Sequence, residues 1–328
     1  MPRGLIDSGA RARPKAWSLA LATVLAAVLL YLAVRGVDWS RVGRTIASAQ
    51  WHWLAAAAGF TMLSFFLRAL RWRILLNAEA RFTVGTVFWA NSAGYLGNNF
   101  LPARAGELIR SLLISSRSNL SKTYVLTTAL GERLMDAIAL VLWSSLALMG
   151  VNPKPQWMAD VSRTMAILAA AGAVAITVLP HTGSLLENVL RRVPLPARMR
   201  SLLLGLAGQV LQGLRAFHDW SRFTGFAALT VVIWMSDAGG AIATARALGI
   251  GLSFRVAVLL LAGLGLSSAL PSTPGYVGIY QFVAVTVLMP FGINRDAAVA
   301  YILVLQALGY TVVLAFGLTA LYQLQSKK

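Results

Sequence analysis

The run Asn98-Asn99-Phe-Leu-Pro-Ala-Arg104-Ala-Gly106-Glu107-Leu-Ile-Arg110 sets two cations and one carboxylate around a Leu-Pro break. If a helix restarts after Pro102, Glu107 and Arg110 are i,i+3 neighbours and Arg104 stands three residues before Glu107, so all three share one face. A helix start has free N–H groups, and guanidinium forks beside it suit an anionic oxygen, phosphate above all. The plainer alternative has Arg104 and Arg110 pairing with Glu107 and marking the cytoplasmic flank of a membrane segment. A second cluster, Gly131-Glu132-Arg133-Leu-Met-Asp136, sets Glu132 and Asp136 at i,i+4, with Arg133 three residues before Asp136. It interrupts an apolar run, and a charge near the middle of a bilayer costs about 2.5–3.5 kcal/mol on insertion scales. Such a group needs a polar cavity or partners on other helices, for which Arg68, Arg71 and Asp237 are the candidates. A purely structural ion network is the competing reading. A third segment, Pro271-Ser272-Thr273-Pro274-Gly275-Tyr276-Val277-Gly278-Ile279-Tyr280-Gln281, has hydroxyls and an amide but no charge, and offers open backbone and neutral hydrogen bonds.

These charges stand out because the chain has so few. Of 328 residues, 58% are hydrophobic and 12% charged, with a mean hydropathy of +0.69, whereas a soluble domain is about 25% charged. A soluble globular enzyme is excluded, and one polytopic membrane bundle is expected in its place. Cysteine is absent, and His52, His181 and His218 fit no metal-ligand spacing. No catalytic residue, metal or cofactor is therefore expected. A formal charge of +18 would suggest nucleic acid as the partner of a soluble protein. In a membrane protein it is read first as topology, and nucleic acid is not expected. The basic residues are 24 Arg and 5 Lys, a ratio consistent with forked phosphate contacts or with compositional bias.

The elements that must hold these groups follow from hydropathy. Trp17 to Val34 is an apolar run of 18 residues behind Arg3, Arg11, Arg13 and Lys15, and reads as a retained first span. Further spans are expected at about 53–70, 124–150, 164–180, 222–245 and 296–324. The stretches 83–116 and 254–290 are each broken by Leu-Pro and glycine into halves of which the shorter cannot span, and are expected to be re-entrant helical hairpins. The fold class expected is thus all-α and polytopic, with six full spans plus two re-entrant hairpins. With both termini cytoplasmic, 19 basic residues fall inside and 8 outside, which favours that orientation. Residues 184–221 form the cytoplasmic linker, within which 197–218 reads as an amphipathic surface helix or a solvated connector.

The two broken stretches align without gaps at an offset of 169, Leu101-Pro102 over Leu270-Pro271 and Gly106 over Gly275. The same offset sets Arg68 over Asp237 and defines repeat units at about 53–150 and 222–319 of a single membrane domain covering 1–328. The chain crosses the membrane an odd number of times between the unit starts. The units are therefore expected to be inverted, with discontinuous helices meeting near the midplane.

In these motifs, Asn99 with Leu-Pro-Ala-Arg104-Ala-Gly106-Glu107 and Arg110, Glu132-Arg133-x-x-Asp136, and Pro-Ser-Thr-Pro274-Gly275-x-x-Gly278, the sequence resembles the flippase-like family that includes the transmembrane region of lysylphosphatidylglycerol synthase. Where that family often has a further glycine and a glutamate, this chain has Tyr276 and Gln281. The resemblance implies handling or translocation of lipid. The aminoacyl-transferring domain of the bifunctional synthases would follow the membrane part, and since the sequence ends at Lys328, that activity is not expected. The reading that results is a translocase of a lipid or lipid-linked glycan in a bacterial inner membrane. Its partner is an anionic phospholipid or a polyprenyl-phosphate-linked substrate. The residues expected to line one cavity and contact the headgroup are Asn98, Asn99, Arg104, Glu107, Arg110, Glu132, Arg133, Asp136, Ser272, Thr273, Gly275 and Gln281. Two alternatives stand beside it: a membrane enzyme using Glu132 and Asp136 as acid and base on such a lipid, and a non-transporting scaffold for envelope synthesis.

Overall fold

The computed structural model describes residues 16–101, 105–149, 156–192, 197–268 and 274–325, and these form helices joined by turns. In chain order the helices are α1 (Ala16–Val34), α2 (Trp39–Ala47), α3 (Trp51–Leu76), α4 (Val84–Phe100), α5 (Gly106–Ser115), α6 (Lys122–Met149), α7 (Gln156–Val178), α8 (Gly183–Arg192), α9 (Ala197–Arg215), α10 (Trp220–Ala247), α11 (Phe254–Ser267), α12 (Ile279–Leu288) and α13 (Arg295–Gln325). The six expected spans fall on α1, α3, α6, α7, α10 and α13. By length and composition, three helices among the described residues suffice to cross a membrane: α3, α10 and α13. The number is four if α1 and α2, which meet at a bend of 83°, count as one broken span. The long helix α6 has 28 residues, about 42 Å at 1.5 Å per residue, but it contains the ionic cluster. Exposed apolar side chains such as Phe60, Phe66, Val231, Leu314 and Leu318 cover the outer sides of α3, α10 and α13, as a hydrocarbon solvent requires.

Local chemistry accounts for several helix limits. Thr83 and Ser253 cap α4 and α11, accepting from the backbone N–H of Thr86 and Val256. Asp219 does the same for α10 from Arg222. Leu101, which precedes Pro102 in the sequence, is extended and ends α4, because proline disfavours helical geometry in the residue before it. On the far side of the break α5 lies against α4. A Cβ at Gly106 would run into the carbonyl oxygen of Gly94, so only glycine permits this approach.

The most extensive packing is between α3 and α10, with α4 against α13 and α11 against α6. One apolar core gathers Leu260, Leu288, Val299 and Tyr301 from α11, α12 and α13. Another gathers Trp72, Leu75, Val87, Ile114 and Phe226 from α3, α4, α5 and α10. The linker forms α8 and α9, and α9 rests on α6. Leu214 and Phe217 are buried in the second core, while Met199, Leu202 and Leu206 stay exposed.

Between α1 and α3, Asp38 caps the short helix α2 through the N–H groups of Ser40 and Arg41. Two expectations are corrected. The first concerns α3, which continues past residue 70 to Leu76. Arg71 is therefore a fully buried helical residue, and Arg110 is 1% exposed, so neither is a flanking charge of the kind that orients a membrane protein. Second, the gap-free register does not persist along the repeat. Trp51 and Trp220 open α3 and α10 at an offset of 169, but Lys122 and Arg295 open α6 and α13 at 173. The slip arises at the break, which leaves residues 101–105 between α4 and α5 but 268–278 between α11 and α12.

Candidate functional site

Helix periodicity brings the charged residues onto facing surfaces. Arg68 and Arg71 are one turn apart on α3, Glu107 and Arg110 one turn apart on α5, and Glu132 and Asp136 one turn apart on α6. Arg71 lies between the last pair. Its Nε and Nη2 donate to Glu132 Oε1 at 3.1 and 3.0 Å, and its Nη1 and Nη2 donate to Asp136 at 2.6 and 2.8 Å. Its Nη1 also donates to the Thr230 hydroxyl at 3.0 Å, and the guanidinium lies 4.8 Å from the centre of the Phe226 ring. Arg110 is similarly saturated. It donates to Glu107 at 2.6 Å, to Asn91 at 2.8 Å and to Glu132 Oε2 at 3.0 Å, and it stacks 4.4 Å from the Trp72 ring. Both oxygens of Glu132 are thus occupied by buried arginines.

Arg68 and Asp237, the pair superposed by the offset of 169, meet directly at 2.5 Å between α3 and α10. Arg68 also receives support from Ser64 at 3.3 Å and Asp136 at 3.7 Å, and lies 5.3 Å from the Trp234 ring. Arg133 differs from the other three. Its Nε donates to Glu107 Oε1 at 2.8 Å, its Nη1 comes only within 4.0 Å of Asp136, and 31% of its side chain is exposed. The Tyr95 ring lies 5.4 Å from its guanidinium. Arg133 therefore retains an open fork edge.

That edge faces an open cavity of about 450 Å³ lined by both broken hairpins and by α3, α6, α10 and α13. Of the residues expected at the site, Asn98, Asn99, Arg68, Glu107, Arg133, Asp136 and Asp237 line it. Arg71, Arg110 and Glu132 lie behind this wall in the protein interior. Arg104, Ser272 and Thr273 lie outside the described residues.

The second hairpin contributes differently from what its sequence suggests. Gly275 and Gly278 have φ of 74° and 89°, and Tyr276 between them has φ of 59°, so the chain reverses through a left-handed segment. The Gly275 carbonyl accepts from Gln306 Nε2 at 3.1 Å and from the Tyr310 hydroxyl. Gln281 accepts the Gly278 N–H at 2.7 Å and donates to Gln306 at 2.5 Å. At 4% exposure Gln281 is a strut of the fold, outside the cavity wall. Sequence reading missed Gln306, Tyr310, Trp234 and Tyr95, all of which line the cavity. Gln306 had a readable signal, as an isolated amide within the apolar run 296–324.

Comparison with known proteins places this architecture. The family described as the lysylphosphatidylglycerol synthase TM region matches residues 17–317. A protein named glycosyltransferase AglD, from Haloferax volcanii, is 28% identical over 82% of this chain, and the match covers 47% of that protein. The chain thus spans about half the length of that relative. A protein named UPF0104 membrane protein, from Methanothermobacter thermautotrophicus, is 23% identical over 88% of this chain and 89% of its own length. Together with the apolar helices, these matches identify a multi-pass membrane protein.

Proposed function

Because the chain belongs to the family of the lysylphosphatidylglycerol synthase TM region, we propose that it moves a lipid with a phosphate-bearing headgroup across a cytoplasmic membrane. The observation that carries this reading is the open guanidinium edge of Arg133 in a cavity of about 450 Å³ bounded by two broken hairpins. Non-helical backbone at membrane depth is tolerated where it is buried or lines a watery cavity, and transporters place their substrates at such breaks. Arg133 takes the phosphate in place of Arg110, whose donors are already spent on Glu107, Asn91 and Glu132. Arg104, where the sequence adds a further cation, is assigned to the same headgroup.

In this reading the helix sets α3 to α6 and α10 to α13 are an inverted repeat. Two features support that. Each set packs its first broken helix on the other's last helix, α4 on α13 and α11 on α6. Residues superposed by the repeat, Arg68 and Asp237, touch one another, as residues beside a two-fold axis do. The termini and the linker of α8 and α9 are assigned to the cytoplasmic side. The enzymatic alternative is disfavoured because Glu132, its proposed acid or base, has both oxygens held by Arg71 and Arg110.

The test is reconstitution into vesicles with a fluorescent polyprenyl phosphate or phosphatidylglycerol and measurement of its movement between leaflets. Wild-type protein is expected to accelerate that movement, and Arg133→Gln to abolish the acceleration while the protein stays folded. Unchanged movement in Arg133→Gln refutes the assignment.

A further inference from the structure

The charges around the cavity are already balanced. The described network contains Arg68, Arg71, Arg110 and Arg133 against Glu107, Glu132, Asp136 and Asp237, and each of these carboxylates has an arginine within 3.0 Å. No carboxylate is left over for an ammonium group, since a headgroup amine would have to compete with a guanidinium at each one.

What the cavity wall leaves unpaired is a set of hydrogen-bonding groups with no uncompensated charge. Trp234 lines the cavity, and its buried Nε1–H has no hydrogen-bond partner. The Asn99 amide, on the same wall, makes no hydrogen bond with any described residue. Asp237 uses Oδ2 for Arg68 and leaves Oδ1 to the cavity. Buried hydrogen-bonding groups of this kind are ordinarily satisfied, and an orphaned set in one cavity points to something that occupies it. Donors and acceptors are both present, which suits a group that both gives and accepts hydrogen bonds, as a hydroxyl does. Tyr276 and Tyr280, with rings 4.7 Å apart and nearly parallel at 8°, line the same cavity. Their faces are apolar and flat, complementary to the C–H face of a saccharide ring. The volume is within the range of about 300–1,000 Å³ typical of small-molecule sites.

We propose that the cavity contains a second subsite, formed by Trp234, Asn99, Asp237 and the Tyr276–Tyr280 pair, for an uncharged, hydroxyl-rich ring, and that the lipid carried is therefore a glycosyl phosphate. This rests on the reading of Arg133 as the phosphate contact and adds the group attached to that phosphate. The ring lies between the tyrosine faces and the hydrogen-bonding groups of Trp234, Asn99 and Asp237 while its phosphate reaches Arg133.

The experiment measures binding of defined lipids to the full-length protein in detergent. The probes are farnesyl phosphate, farnesyl phosphate bearing glucose, mannose or N-acetylglucosamine, and phosphatidylethanolamine as the amine-bearing control. At least one glycosyl lipid is expected to bind about tenfold or more tightly than farnesyl phosphate. Trp234→Phe, which keeps an aromatic ring and removes the N–H, and Asn99→Ala are each expected to reduce that ratio to about threefold or less. The melting temperature of each variant, measured alongside, separates a lost contact from a lost fold. Arg133→Gln is expected to weaken all the prenyl phosphates together. Equal binding of farnesyl phosphate and all three glycosyl lipids overturns the saccharide subsite and leaves the phosphate reading intact. Tighter binding of phosphatidylethanolamine than of any glycosyl lipid also overturns it, because the cavity then favours an amine. Failure of every prenyl phosphate to bind overturns both readings.

Discussion

Two segments of this chain meet the same difficulty, a helix that stops in an apolar setting and resumes beyond a Leu-Pro in the sequence, and they resolve it with different chemistry. Around the first break Glu107 and Arg110 of α5 join Arg71, Glu132, Arg133 and Asp136 in a continuous ionic network. Around the second, Gln281, Gln306 and Tyr310 bind the backbone of Gly275 and Gly278 with neutral hydrogen bonds. Arg133 and Gln306 even hold the same place, each being the twelfth residue of its long helix, α6 or α13. The neutral network is closed, since the Gln306 amide and the Tyr310 hydroxyl are spent on the fold. The ionic one is closed everywhere except at Arg133. A framework of saturated groups that leaves one guanidinium open is suited to holding a headgroup without collapsing onto it.

The sharpest test of this contrast is the removal of a saturated ion. Arg71→Met leaves Glu132 and Asp136 buried with fewer partners, and breaking a buried pair this way costs about 3–5 kcal/mol. It should appear as a large drop in thermal stability of the purified protein in detergent. Arg110→Lys is expected to act in the same direction, through lost fork contacts to Glu107 and Asn91. A normal melting temperature for Arg71→Met would break the comparison.

The neutral side should respond less strongly. Gln306→Leu leaves the Gly275 carbonyl with Tyr310 alone and strands the Gln281 amide, a loss of about 1–3 kcal/mol. Its melting temperature is expected between those of wild type and Arg71→Met, and a value below Arg71→Met would mean that the second break is the principal support of the fold.

Arg133→Gln should change stability least among these, by less than about 1 kcal/mol, because a partly exposed ion pair contributes little. The same variant is the one expected to lose lipid movement, so stability and transport separate at this residue. A loss of stability comparable to that of Arg71→Met would place Arg133 in the structural network.

Smallest in energetic effect are cysteines at the exposed positions Ser184 and Asn294, introduced into a chain that has none. They report the orientation of the two halves. Labelling from opposite faces of the membrane, with Ser184 cytoplasmic, supports the inverted arrangement, whereas labelling of both from one face contradicts it.

Much of the architecture was legible in the amino-acid order. The expected span at 222–245 lies within α10, Trp220–Ala247, and α4 and α11 end before the two Leu-Pro positions while α5 and α12 begin after them. The internal alignment set Arg68 over Asp237, but that the two touch each other was decided by the packing of α3 on α10. What was not legible was the role of Arg110 against that of Arg133. Both are arginines one turn from a carboxylate in an apolar helix, and nothing local distinguishes them.

Hydropathy, helical spacing and the Leu-Pro breaks are properties of neighbouring residues, so the sequence by itself determined an all-helical membrane protein with two interrupted segments and two charged clusters. Which charges would be consumed was decided only by tertiary structure. Arg71 meets Glu132 and Asp136 across 61 and 65 residues of chain, and Arg110 meets Glu132 across 22. Those distances close only when α3, α5 and α6 pack, and a guanidinium has a fixed number of donors. Once packing had allocated those of Arg71 and Arg110, the open edge was left on Arg133, where α6 faces the cavity.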